Sequence, residues 1–106
     1  MESTSRKIIA TRELKYSRIG ESEKRKLVIC ITAPYLLAKG SVSFQFDEGT
    51  AGCSIVFDGI PEHEIEVFGA DRIQALAFAV DIDPYLRGLR SKYIFYWETG
   101  EPYFDT

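Results

Sequence analysis

The chain has 106 residues, of which 45% are hydrophobic and 27% charged, and its net charge at pH 7 is −3. These values are typical of one globular domain covering residues 1–106, which is long enough to bury a core without disulfides or metal ions. The net negative charge argues against a nucleic-acid partner, and no apolar run approaches the ~18 residues that a membrane span needs.

The polar N-terminus predicts disorder at residues 1–5 and does not resemble a signal peptide. Cys30 and Cys53 lie in apolar strand-like runs without C-x-x-C spacing, so we expect reduced thiols and a cytoplasmic location. Residues 1–30 carry eight Lys/Arg and four Asp/Glu, whereas residues 31–106 carry five and twelve. Either strand faces merely differ in sign, or an acidic surface meets a basic partner.

Alternation of apolar and polar side chains predicts five strands in the first two-thirds of the chain, over residues 6–18, 26–33, 41–47, 51–58 and 62–68. Arg12 interrupts the first alternation, which indicates either a bulge or a side chain that reaches the sheet edge. Pro34 ends the second strand, because proline cannot donate to a ladder. A connection with a short turn of helix follows at residues 35–40.

Residues 41–47 have the most regular strand pattern, with Val42, Phe44 and Phe46 on one side. Glu48, Gly49 and Thr50 then predict a hairpin connection to the next strand.

Residues 71–80 predict the only long helix, with a capping box in which Asp71 accepts from the first turn and Gln74 reaches back. Its best core face has the spacing i, i+3, i+4, i+7 and consists of Ile73, Leu76, Ala77 and Val80. A second apolar stripe lies roughly opposite and consists of Ala75, Phe78 and Ile82. We expect the chain's own tail or another chain to cover Phe78 and Ile82.

After the helix, Asp83 and Pro84 predict a break and a short second helix over residues 84–89. Residues 92–98 predict the last strand, with Tyr93, Phe95 and Trp97 on one face. The order β-β-β-β-β-α-β indicates an α+β fold, a mostly antiparallel sheet of about six strands packed on one main helix. Because one helix is about 10–12 Å wide and such a sheet about 25–30 Å, either the sheet curls or a second copy or partner covers the remainder.

No constellation in the sequence predicts catalysis, a metal site or a cofactor. His63 is the sole histidine, and the alternation directs Glu62 and Glu64 away from it, so we interpret the cluster as a solvated turn. Cys53 with His63 lacks the context of a nucleophile and its base. We therefore predict a protein without catalytic activity.

The predicted partner-binding residues combine the outward sheet face with the second helix stripe. They are Asp47, Asp58, Glu64, Glu66, Tyr96, Phe78 and Ile82. Mixed acidic and apolar surface with tyrosine is typical of protein interfaces, and the alternative is an ordinary solvated face of an antiparallel sheet.

The segment Gly69-Ala70-Asp71-Arg72-Ile73-Gln74-Ala75-Leu76 resembles the helix start G-x-D-x-x-Q-A-L of a group of small bacterial α+β proteins, a domain of unknown function. The resemblance covers about the last half of the chain. It implies a bacterial domain with no assigned catalytic residues, and some small acidic proteins of this type act as immunity proteins for secreted toxins.

The sequence thus predicts a cytoplasmic protein-interaction domain that binds another protein, or a second copy of itself as a homodimer. The more specific form of this prediction is an immunity-type protein that binds a toxin. The alternative is a binder of small apolar ligands, with an aromatic pocket between sheet and helix. That pocket would be lined by Phe44, Phe57, Phe95 and Trp97.

Overall fold

A computed structural model describes residues 7–104, so the predicted disorder of residues 1–5 lies outside the described residues. The elements in chain order are β1 (Ile8–Arg18), β2 (Arg25–Thr32), β3 (Tyr35–Leu36), β4 (Ala51–Asp58), β5 (Ile65–Gly69), α1 (Arg72–Val80), α2 (Asp83–Gly88) and β6 (Tyr93–Trp97). Six antiparallel strands and helices packed on them confirm the α+β prediction.

The strands form one sheet in which β2 and β3 act as one interrupted strand. Ile55 of β4 pairs with Ile31 of β2 on one edge and with β5 on the other edge. Ala51 of β4 pairs with β3 and with β5, which also lie on opposite edges. Both β2 and β3 therefore lie on the same edge of β4, separated by the break at Pro34. Across the sheet the order is β5, β4, β2 with β3, β1 and β6.

Alternate side chains of each strand point toward the helices and form the core. On β4 these are Ala51, Cys53, Ile55 and Phe57, all buried. The predicted alternation of residues 51–58 is confirmed. The helix-side core is completed by Leu14, Tyr16, Leu27, Ile29, Ile31, Tyr93 and Phe95 from the other strands and by Ala75, Ala79, Ile82 and Leu86 from the helical segment.

Helix α1 begins with the predicted cap and lies very close to the sheet. Asp71 Oδ1 accepts from the Gln74 N–H at 2.8 Å. Gln74 Oε1 accepts from the Ala70 N–H at 2.6 Å, whereas the capping box predicts the Asp71 N–H as the donor. A Cβ on Gly69 would lie 2.5 Å from the backbone nitrogen of Ala75. Only a glycine in β5 therefore permits this close packing of α1 on the sheet.

The prediction of which face of α1 packs against the core is wrong. Ile73 is 81% exposed and Val80 51% exposed, whereas Ala75 and Ala79 are fully buried. Both faces of the helix are apolar, so periodicity alone cannot orient it. The close approach at Gly69 admits only small side chains beneath α1, which turns Ile73 and Val80 outward.

Ile82 is 5% exposed and belongs to the core, so this chain itself covers it, which was one of the two predicted alternatives. The break after α1 reorients the chain, and α2 begins at Asp83, one residue before the predicted start, with Ile82 and not Asp83 as its N-cap. Leu86 of α2 is fully buried, and Tyr103 and Phe104 of the C-terminal segment pack against the core. The second helix and this segment thus cover sheet area that α1 cannot reach.

Residues 41–47 are not a strand, and the third strand is Tyr35–Leu36 instead of a turn of helix. The alternation of Val42, Phe44 and Phe46 has another cause. The Phe44 ring contacts Phe68 of β5 at 5.1 Å and Phe46 at 6.2 Å between centroids. Because Phe68 alternates with the core residues Val67 and Gly69, the irregular segment 37–50 lies on the sheet face opposite the helices.

Arg12 reaches the edge of the sheet, which was one of its two predicted outcomes. The bulge in β1 lies between Ile8 and Ala10 and not at Arg12. The Arg12 guanidinium donates to the Tyr103 hydroxyl at 2.7 Å and lies 5.6 Å from the Trp97 ring centroid. The Tyr103 hydroxyl in turn donates to Asp83 at 2.6 Å, which links the C-terminal segment to the start of α2.

Candidate interaction surfaces

The outward face of α1 is the most apolar exposed helix surface in the described part of the chain. Ile73, Ala77 and Val80 occupy positions i, i+4 and i+7 and are all exposed. We call these three residues the α1 stripe. An exposed apolar row on a helix is typical of a surface that packs against another protein.

A small cavity lies at the C-terminal end of the α1 stripe. It has a volume of about 110 Å³. Its lining comprises Ala10, Thr11, Arg12, Ile29, Ile31, Val80 and Ile82. We call it the Val80 cavity. Five of its seven lining residues are apolar, so it offers room for an aliphatic side chain, and Thr11 and Arg12 are its polar residues.

Two charges at the ends of α1, those of Arg72 and Asp81, oppose the helix dipole, whereas the Asp71 carboxylate at the N-cap is favourable. Arg72 is the first helical residue and Asp81 is the C-cap, while the first turn holds no acidic residue and the last turn no basic one. A cation near the N-terminus and an anion near the C-terminus are both unfavourable in an isolated helix. This arrangement becomes favourable when charges of opposite sign approach from outside.

The predicted partner-binding residues fall on two sides of the molecule. Asp58 and Glu66 are exposed on the sheet face opposite the helices, and Asp47 lies in the segment 37–50. Glu64 is exposed just before β5. Asp58 and Glu66 therefore share one face of the sheet, and the segment that holds Asp47 lies on the same side.

Tyr96 is half-buried on this face, within 3.2 Å of Ser17 Oγ and beneath the ammonium of Lys24, which lies 4.4 Å from its ring centroid. Phe78 is 47% exposed on the helix side, and Ile82 is inside the core. The seven residues do not form one continuous surface.

A second cavity, larger than the Val80 cavity, lies against the segment 37–50, and we call it the loop cavity. Its volume is about 770 Å³, which is within the range of small-molecule sites. The apolar lining residues are Leu36, Leu37, Val42, Phe44 and Phe46, and Lys39 and Glu48 are the charged ones.

The four residues of the predicted aromatic pocket do not come together. Phe57 and Phe95 are buried in the core. Trp97 shares their face of the sheet but lies at the rim against Tyr103, with 4.6 Å between ring centroids. Phe44 lines the loop cavity on the opposite face. Sequence reasoning missed this cavity because the V-x-F-x-F alternation was attributed to a strand.

Both cysteines are buried and have raised pKa values. Burial raises the pKa of the Cys30 thiol, with a smaller contribution from Asp58, and burial raises that of Cys53. Cys30 and Cys53 lie on neighbouring strands but alternate to opposite faces, so both thiols are free. His63 is exposed, and residues 7–104 contain no cluster of three potential metal ligands.

Two tyrosines also have raised pKa values. Burial and the hydrogen bond to Glu62 raise the pKa of Tyr93, and burial and the hydrogen bond to Asp83 raise that of Tyr103. Both hydroxyls act as donors to carboxylates, which is a structural use of the group. These interactions hold β6 and the C-terminal segment in place.

No family model, curated protein or solved structure matches this chain. No helix within residues 7–104 is long and apolar enough to cross a membrane.

Proposed function

We propose that the chain is a cytoplasmic protein-interaction domain without catalytic activity. The observation that carries this proposal is the exposed α1 stripe. Ile73 has the largest exposed fraction of any large hydrophobic residue described, although it lies in a regular helix next to well-buried alanines. Such an exposed apolar side chain stabilises the protein by the hydrophobic effect only when another surface covers it.

The acidic residues support a second contact, with a basic partner. Asp58 and Glu66 lie on the face opposite α1, so a partner there would leave the α1 stripe accessible. Together with the resemblance at residues 69–76, this favours a bacterial immunity-type protein that binds a toxin. Attraction between acidic and basic surfaces speeds association and selects the partner.

Photo-crosslinking tests whether the α1 stripe contacts protein. The photoreactive residue p-benzoylphenylalanine replaces Ile73 in one variant and Ile19 in a control, because Ile19 is an exposed isoleucine in a turn outside the stripe. After illumination in expressing cells, we expect a covalent adduct at position 73, with this chain or another, and none at position 19. Absence of adducts at position 73, or equal adducts at both positions, would contradict the proposal.

The loop cavity favours a second candidate function, the binding of small apolar molecules. Its aromatic and aliphatic walls suit an apolar ligand, and its size suits a drug-sized one. Trp97 lies on the other face of the sheet and is a poor reporter for this site. A Phe44→Trp, Trp97→Phe variant places the single tryptophan in the cavity wall. We expect its fluorescence to respond to apolar compounds, with Trp97 in the unchanged chain as the control; no response across a broad set would remove this candidate.

A further inference from the structure

The two ends of α1 complement each other in shape. Near its N-terminus Ile73 projects into solvent, and at its C-terminus the Val80 cavity is lined by five apolar residues together with Thr11 and Arg12. Seven residues separate Ile73 from Val80, which corresponds to about 10 Å along a helix. Ala77 lies close to the midpoint. A projection and a recess at opposite ends of one helix fit when a second identical helix runs antiparallel to the first.

We propose that α1 packs antiparallel against α1 of a second copy of this chain, about a two-fold axis at Ala77. Ile73 of each copy then occupies the Val80 cavity of the other, so both recesses are filled by one symmetric contact. The small side chain at Ala77 permits the helices to approach closely at the crossing point. The inference rests on the proposed interaction function and names its partner.

The charges of α1 support the same pairing. An antiparallel arrangement brings Arg72 of each copy to the C-terminal end of the other α1, at the level of Asp81. The guanidinium then lies near the negative end of the neighbouring helix, and Asp81 lies near the positive end. Asp71 remains occupied by the Gln74 N–H in the cap. A pattern that is unfavourable in one copy is therefore favourable in two.

The size of this contact predicts a weak dimer. With nine residues, α1 is about 13 Å long, so the helix contact alone buries less than the roughly 800 Å² per partner of a standard interface. We expect a dissociation constant on the order of 10 μM. The mass in solution should therefore depend on concentration.

Sedimentation or light scattering from about 1 μM to 1 mM measures the dissociation constant on the intact chain. Ile73→Glu should raise it at least tenfold, because a carboxylate would lose its hydration among the five apolar lining residues, and the Arg12 guanidinium already donates to the Tyr103 hydroxyl. Ile19→Glu is the matched control, an exposed isoleucine changed in the same way, and should leave the constant unchanged. Ile73→Glu should not lower the thermal midpoint of the monomer, because Ile73 is 81% exposed.

Two further measurements fix the geometry. Ala77→Cys should form an intermolecular disulfide under mild oxidation, because the two-fold axis places position 77 opposite itself, while Ile19→Cys should not. Arg72→Asp and Asp81→Arg should each weaken the dimer, although each improves the helix dipole of its own copy. The double reversal should restore the dissociation constant to within about threefold, since it exchanges the charges of one attractive pair.

The outcomes separate this inference from the proposed function. A dimer that is unaffected by Ile73→Glu, or no disulfide at position 77, overturns the α1 pairing. A monomer at every concentration also overturns it, and crosslinks from position 73 to a different protein would then leave the interaction function standing. A large loss of monomer stability in Ile73→Glu would place Ile73 against its own chain and overturn both.

Discussion

The close packing of α1 on β5 can be tested with one substitution made at two positions. In Gly69→Ala the new Cβ would lie 2.5 Å from the Ala75 nitrogen and 2.9 Å from the Gln74 carbonyl carbon. Both are backbone atoms of α1, so the whole helix must move by about 1 Å to restore an ordinary carbon contact distance. Overpacking of this kind costs about 1–3 kcal/mol.

Gly88→Ala is the matched control, because Gly88 lies in α2 and a Cβ there would meet no atom within 4 Å. Alanine should stabilise this helical position by about 0.5–1 kcal/mol. We therefore expect the two variants to shift the free energy of unfolding in opposite directions, by a total difference of about 3 kcal/mol.

Urea denaturation followed by circular dichroism measures both variants under identical conditions. The midpoint should fall for Gly69→Ala and rise slightly for Gly88→Ala, with the same slope against denaturant. A Gly69→Ala protein as stable as the unchanged chain would refute the reasoning. It would mean that α1 does not lie close to β5, and the outward orientation of Ile73 would lose its explanation.

Three further predictions follow from the core and the titratable groups. Leu86→Ala should cost about 2–5 kcal/mol in urea denaturation, because Leu86 is fully buried; a loss below 1 kcal/mol would mean that α2 is not part of the core. The pKa of Tyr103 is raised by burial and by the hydrogen bond to Asp83, so its contribution to stability is complete below about pH 10. That contribution is lost as the pH rises through the folded-state value, and a pH series of thermal midpoints should decline less steeply in Tyr103→Phe. Cys30 and Cys53 should react with iodoacetamide at pH 8 far more slowly in the native chain than in urea, because burial raises both pKa values; equal rates would contradict their burial.

Local sequence signals predicted those elements whose formation does not depend on distant parts of the chain. The Asp71 cap and the alternation of residues 51–58 were found where expected, and the restart at Asp83 and Pro84 was found one residue early. Each has a cause within a few residues: a side-chain acceptor for orphan N–H groups, a ring that removes a donor, or a period of two. The α+β class followed from the order of these elements.

The segment 37–50 could not be predicted in this way. Alternating Val42, Phe44 and Phe46 satisfy a strand pattern equally well when they pack as an aromatic cluster on Phe68. A strand also needs a partner with free hydrogen-bonding groups. Both edges of β4 are already occupied, one by β2 and β3 and the other by β5.

The sequence by itself determined that the helix is apolar nearly all round, with Gln74 the only polar residue from Ile73 to Val80, and hence that it has more apolar surface than one sheet contact can bury. Which side faces the core was decided by the tertiary structure alone. The contact between Gly69 and the first turn of α1 leaves space only for Ala75 and Ala79. The bulkier Ile73 and Val80, which periodicity favoured for the core, therefore face outward and form the surface from which we infer the protein's interactions.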